Sequence, residues 1–309
     1  MKRFKNILLV YPCDQATLDR ATSLAQNNHA RLKFIRVERE LTGTSLITAA
    51  GSPAIELQDL VIKEYQSQLK DVVAPVKKEG VRVSTKVVIG TPFLEIIREV
   101  IVEKHDLMIM TAEGHGGLKE RLFGSTSLHL MRKCPCPLWV MKPTKRKRFL
   151  RIMAAVDPEP FDDSRNALNA LILQLAASLA HQDSAELHVA HAWTMVGESL
   201  LRGPGRFTEP EIQGYFQEEM RKHHELLNTL IAEHIDGIAK VHMVKGLAEF
   251  VIPDLAKSEK VDLLVMGTVC RTGIPGFFIG NTAEKILDEV DCSVLTVKPD
   301  AFQSPVKFD

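Results

Sequence analysis

Two glycine-rich stretches of this 309-residue chain carry residue types suited to holding a phosphorylated ligand. One reads Met266-Gly267-Thr268-Val269-Cys270-Arg271-Thr272-Gly273, then Ile274-Pro275-Gly276-Phe277-Phe278-Ile279-Gly280-Asn281-Thr282. The other runs from Met110-Thr111 through Gly114 to Gly124-Ser125-Thr126. Glycines let backbone N–H groups approach a phosphate, and a helix that starts beside them adds partial positive charge. Each stretch is entered from a short apolar run and left through a helix-forming segment, the context such chemistry needs.

The two stretches belong to a larger repetition. Val88-Ile89-Gly90, Asp106-Leu107-Met108-Ile109-Met110, Gly124-Ser125-Thr126 and Met141-Lys142-Pro143 return 156 residues later. They come back as Val244-Lys245-Gly246, Asp262-Leu263-Leu264-Val265-Met266, Gly280-Asn281-Thr282 and Val297-Lys298-Pro299. The starts of the copies, Phe4-Lys5-Asn6-Ile7 and Phe149-Leu150-Arg151-Ile152, match at an offset of 145, so about eleven extra residues precede Gly246. Gly203-Pro204-Gly205 puts that insertion at Val196 to Glu211, as an extended loop. A repeat of this length fits two whole domains, residues 1–144 and 149–300, joined at Thr144-Lys145-Arg146-Lys147-Arg148.

The elements that must position the loops alternate. In the first copy, strands are expected at Ile7 to Tyr11, Leu32 to Val37, Val81 to Ile89, Leu107 to Met110 and Leu138 to Met141. Helices fall between them: Thr17 to Asn28, Ala54 to Glu79 with Pro75 placed to bend or end it, Thr91 to Lys104, and Ser125 to Lys133. The second copy repeats the order, with strands at Ile152 to Val156, Leu187 to Ala192, Val241 to Val244, Leu263 to Met266 and Val294 to Val297. Its helices begin near Ser164, Pro210, Leu247 and Asn281. Short apolar strands alternating with helices mean a parallel sheet covered on both faces. The fold class is therefore α/β, two tandem Rossmann-like domains with five parallel strands each.

With these residues in place, both copies resemble the universal stress protein family. The resemblance implies the adenine nucleotide alpha hydrolase-like version of the Rossmann-like fold. Its ATP-binding pattern is Gly-x-x-Gly, nine residues, then Gly-Ser or Gly-Thr, with an Asp at the end of the first strand. Neither copy is intact. The first keeps Gly114, Gly124 and Ser125 but has Thr111 at the first glycine and Pro12 at the Asp position. The second keeps Asp157, Gly267 and Gly280, with Cys270 at the second glycine and Asn281 at the hydroxyl position. A Cβ at Cys270 crowds a phosphate, whereas Asn281 still caps a helix and donates. Any nucleotide binding, to ATP or AMP, is therefore expected in the second copy, at Asp157, Ala192, Met266, Gly267, Gly280, Asn281 and Thr282; the alternatives are a scaffold whose two pockets are relics and, after it, a slow nucleotide hydrolase. The resemblance also implies a non-enzymatic role in tolerance of starvation or DNA damage, and a pseudo-dimer of the two domains through their last strands. A homodimer of whole chains is a further expectation.

Other residues invite chemistry. Phe277-Phe278-Ile279 either packs beneath the loop or walls an apolar pocket for an acylated or lipid-linked metabolite. Cys270, beside Arg271 and ahead of a helix N-terminus, is either filler or a redox-sensitive thiol. Cys134 and Cys136 lack a second ligand pair and read as structural thiols. His223-His224-Glu225 reads as a solvated helix face, and His188 and His191 as strand residues pointing to opposite sides. No metal is expected, and no paired acid–base residues suggest catalysis.

Net charge is zero, yet residues 1–148 hold 25 Lys and Arg against 15 Asp and Glu, and the remainder reverses this balance. Opposite halves favour domain docking. The basic residues are spread without interleaved aromatics, so no nucleic-acid partner is expected. No apolar run is long enough to span a membrane, and no secretory leader is expected. Five cysteines, an odd number, point to reduced thiols and a cytoplasmic location.

Overall fold

The computed structural model describes residues 4–40, 54–112, 123–144, 146, 148–195, 197–203, 207–268 and 279–307. Cys270, Phe277 and Phe278, like Gly114, lie outside the described residues. The chain forms two compact units.

The first unit holds strands β1 (Asn6–Val10), β2 (Arg31–Glu38), β3 (Arg82–Ile89), β4 (Leu107–Thr111) and β5 (Leu138–Met141). Between them lie α1 (Gln15–Asn28), α2 (Ala54–Lys78), α3 (Pro92–Glu103) and α4 (Ser125–Lys133). The strands are parallel, in the order β3-β2-β1-β4-β5. Pro75 neither ends nor replaces a turn of α2, which continues through it to Lys78.

The second unit repeats this with β6 (Arg151–Ala155), β7 (Glu186–Trp193), β8 (Lys240–Lys245), β9 (Leu263–Gly267) and β10 (Ser293–Val297). Its helices are α5 (Asp163–Asp183), the short α6 (Glu198–Leu201), α7 (Glu209–His234), α8 (Ala248–Ser258) and α9 (Asn281–Glu289). Strand order is β8-β7-β6-β9-β10, again parallel. In both units the strand order reverses beside the first strand, which opens a crevice at the carboxyl edge there.

The apolar runs are buried as a parallel sheet requires: Ile7, Leu8, Leu9, Leu107, Met108 and Ile109 in one unit, Ile152, Met153, Leu263, Leu264 and Val265 in the other. The repeated Asp proves to be a register clamp. Lys5 and Asn6 N–H donate to the Asp106 carboxylate at 2.6 and 3.0 Å, and Leu150 and Arg151 N–H donate to Asp262 at 2.7 and 3.1 Å. Each carboxylate ties the start of its unit's first strand to the fourth.

The structure moves the insertion. Phe4 N–H donates to Asn28, and Phe149 N–H to Asp183, so the equivalent anchors at the ends of α1 and α5 are already 155 residues apart. The offset has grown from 145 before β7 begins. Nearly all the extra residues therefore lie between Asp157 and Ala170, not at Val196 to Glu211. They form a Pro-containing turn and the first two turns of α5, which has 21 residues against 14 in α1. Gly203 and its neighbours drew attention to the wrong loop, because a helix lengthened at its N-terminus has no Gly-Pro punctuation.

Candidate functional site

A cavity of about 1160 Å³ opens at the carboxyl edge of the second unit. Asp157 stands at its lip just past β6, Ala192 and Trp193 rise from the end of β7, Gly246 follows β8, and Thr282 lies in the first turn of α9. Helix α7 supplies Lys222, His223 and Leu230, and the inserted segment supplies Pro158, Phe161, Arg165 and Asn166. The insertion is thus a wall of the cavity. Phe161 is 94% exposed, an aromatic ring left in water on that wall.

Asp157 is held from behind. Its N–H donates to Asn169 Oδ1 at 3.0 Å, and Asn169 Nδ2 donates to its carbonyl at 2.9 Å. Its carboxylate faces Arg165 at 3.5 Å, and the same guanidinium meets Glu159 at 3.3 Å. Of the sequence candidates, Asp157, Ala192 and Thr282 line the cavity. Met266 is buried in the sheet, and Ile279 is buried at the end of the loop. Gly280 is the N-cap of α9, with its N–H donating to the Thr268 carbonyl at 2.9 Å, and Asn281 begins the helix exposed. Gly267 ends β9 beneath Leu168. A Cβ there would lie 2.9 Å from Leu168 Cδ2, a side chain that the lengthened α5 brings over β9.

One group escaped the sequence reading. His191 is fully buried, its Nδ1 bonded to the Val156 carbonyl at 3.1 Å and its Nε2 to His223 Nδ1 at 3.0 Å. His223 is therefore not a solvated residue of a helix face. It is fixed on the cavity wall beside Trp193, whose ring centroid lies 5.2 Å away. Strand and helix positions 32 residues apart carry no common signal in the sequence. Only the β7–α7 packing joins them.

The wall is acidic. Six carboxylates line it, Asp157, Glu159, Glu219, Glu225, Glu233 and Glu249, against the lining cations Arg165 and Lys222, while Arg221 pairs with Glu225 and Lys285 with Glu249 from outside the lining. Such a lining opposes a triphosphate and tolerates a ligand of low charge.

In the first unit, among the described residues, side chains occupy two of the corresponding places. Thr111, at the Gly267 position, accepts from Asp14 N–H at 3.1 Å and bonds Thr17 Oγ1 at 2.9 Å. Arg36, at the His191 position, lies 3.3 Å from the Tyr65 ring centroid and pairs with Glu38 at 2.9 Å. The cavity there, bounded by Gly90, Phe93, Thr126 and His129, has about 470 Å³. Cys13 borders this end, and burial, then the Asp14 charge, pushes its thiol up to about 12. Cys134 and Cys136 are buried thiols, not joined as a disulfide, with sulfurs 3.5 Å apart.

The model of the universal stress protein family matches residues 3–142 and again 148–298. The chain belongs to that family. It is 31% identical over 316 residues to universal stress protein E of Escherichia coli K12, covering 100% of this chain and 98% of that one. Universal stress protein E of Salmonella typhi is 30% identical over 315 residues, with 100% and 99% covered. Among solved structures, a protein of unknown function from Pseudomonas aeruginosa PAO1 shares 27% identity with a TM-score of 0.76, over 97% of this chain and 94% of that one. A universal stress protein from Archaeoglobus fulgidus shares the fold at 18% identity, with a TM-score of 0.64 and coverage of 95% and 98%. Membership of the family fixes the fold class as the tandem Rossmann-like arrangement. No helix among the described residues is long and apolar enough to cross a membrane.

Proposed function

We propose that this chain is a non-enzymatic, cytoplasmic stress-response protein that senses a small molecule through its second unit. The observation that carries this reading is the cavity at the carboxyl edge of β6 and β7, with Asp157 at its lip and the α9 N-terminus beside Thr282. Asp157 would hold the polar edge of a nucleoside, and Asn281 with the α9 N-terminus would receive a phosphate. The acidic wall favours AMP over ATP, since every added phosphate charge is placed among carboxylates. A stress role, in starvation or DNA damage, rests on the family. Pairing of the last strands, Leu138–Met141 with Val294–Val297, belongs to the same proposal on the argument that exposed sheet edges must be covered. A disulfide formed between Val140→Cys and Leu295→Cys in the oxidised chain supports that pairing, and its absence counts against it.

A second reading has its own observation. At about 1160 Å³ the cavity exceeds the roughly 300–1000 Å³ of common small-molecule sites. The excess lies along α7 and the inserted segment, where Trp193, Leu226, Leu230 and Phe161 offer apolar surface. A nucleotide bearing an acyl chain would use both parts. Mass spectrometry of ligand extracted from the purified chain separates the readings. Free nucleotide supports the first, an acylated species supports the second, and a chain that co-purifies with nothing and binds no AMP overturns both.

A further inference from the structure

At the amino edge of the second unit, away from the cavity, three potential ligands converge. His188 of β7, His242 of β8 and Glu259 at the end of α8 bring their donor atoms within 4.8 Å of one another. The imidazoles stack with planes 8° apart, and His188 Nδ1 lies 3.0 Å from His242 Nε2. Glu259 Oε2 is 3.9 Å from the same His188 nitrogen. His188 is buried, and its Nε2 has no hydrogen-bond partner among the described residues.

The first unit shows what this place in the fold ordinarily holds. Strand registers equate His188 with Lys33 and His242 with Lys86. Lys33 Nζ meets Glu99 at 2.5 Å and Glu103 at 3.5 Å, and Lys86 Nζ meets Glu99 at 2.5 Å. Two cations there neutralise two carboxylates. In the second unit Leu255 stands at the Glu99 position and Glu259 at the Glu103 position, while both ammonium groups have become imidazoles. One carboxylate remains, facing two neutral nitrogen donors where cations stood.

We propose that His188, His242 and Glu259 bind a divalent transition-metal ion, with Zn²⁺ the best match to two imidazoles and one carboxylate. Tetrahedral zinc with bonds of about 2.0–2.1 Å places ligand atoms roughly 3.3 Å apart. The two imidazole nitrogens need to open by only a few tenths of an ångström from the distance observed. Metallation at His188 Nδ1 leaves the proton on Nε2, which faces Glu186 Oε2 at 3.9 Å, a carboxylate partner of the kind that orients metal-bound histidines. Burial, and for His188 also the neighbouring His242, holds both imidazoles in the neutral form a metal requires. Lys240 now pairs with Glu259 at 2.7 Å, but its side chain is largely exposed, and such pairs are given up at little cost. The fourth position is left to water.

The test is titration of Zn²⁺ into the full chain after dialysis against chelator, followed by calorimetry, with Co²⁺ as the spectroscopic reporter. Wild type should bind one ion with these ligands, without a sulfur-to-cobalt charge-transfer band. His242→Gln and Glu259→Gln should each weaken that binding by at least roughly tenfold. The double variant Cys134→Ser/Cys136→Ser should leave it unchanged. Should His242→Gln fail to fold by circular dichroism, the partly exposed Glu259→Gln carries the test alone. No bound ion, binding indifferent to Glu259→Gln, or binding lost with the two cysteines overturns the assignment.

Discussion

The two units keep one backbone plan and disagree at both ends of their sheets. At the carboxyl edge the first unit has Thr111 hydrogen-bonded to Asp14 and Thr17, and Arg36 laid over Tyr65. The second has Gly267 under Leu168, His191 backing His223, and a cavity of about 1160 Å³. At the amino edge a Lys–Glu cluster faces a His–His–Glu cluster. What stays equal is what builds a sheet: the apolar strands, the Asp106 and Asp262 clamps, and the left-handed caps at Lys104 and Lys260. Both copies keep the frame, and a small set of substitutions makes their two ends chemically different.

The largest difference should appear at the amino edge. Burial pushes the Glu99 carboxyl up, but His105, Lys33 and Lys86 outweigh it and bring it down to about 2. A depressed carboxylate stabilises the fold above its unfolded value near ~4.3, and that contribution disappears as pH falls from there toward 2. Glu99→Gln should cost roughly 3–5 kcal/mol at neutral pH by urea unfolding, because Lys33 loses its main partner. It should also flatten the acid limb of the stability profile. Glu259→Gln, in the metal-free chain, should cost far less, because the Lys240 pair that it breaks is solvated. Equal costs would show that the two clusters are not different in kind.

The clamps should behave alike. Asp106→Ala and Asp262→Ala each remove an ionised acceptor from two backbone donors, and each should cost about 2 kcal/mol. A clear inequality between them in urea unfolding would mean that one unit tolerates a looser register.

The smallest effect tests the reason for Gly267. Gly267→Ala should cost at most about 1 kcal/mol through crowding of Leu168, and the double variant with Leu168→Ala should recover part of that cost. Additive costs would free Gly267 from a packing role and return it to the ligand.

Much of this fold was legible because parallel strands announce themselves as apolar runs. Leu107 to Met110 and Leu263 to Met266 fall within the observed β4 and β9. The opposite facing of His188 and His191 also followed from strand alternation and is seen in their partners, His242 on one side and His223 on the other. The insertion was misplaced because residues 158–169 mostly extend a helix, and helical residues differ little from the helix they lengthen. Gly267 fitted a phosphate pattern, yet its nearest constraint is a leucine on another element. The His191–His223 and His188–His242 pairs were hidden for the same reason: they join residues that only the tertiary fold makes neighbours.

The central claim is that the second unit, and not the first, holds the ligand. Calorimetric titration of AMP into wild type, Ala192→Phe and Val37→Phe tests it most directly. Ala192 lines the larger cavity, and strand register places Val37 at the same position of the first unit. The account predicts binding by wild type and by Val37→Phe with equal affinity, and at least about tenfold weaker binding by Ala192→Phe. Binding that survives Ala192→Phe and fails in Val37→Phe would contradict it.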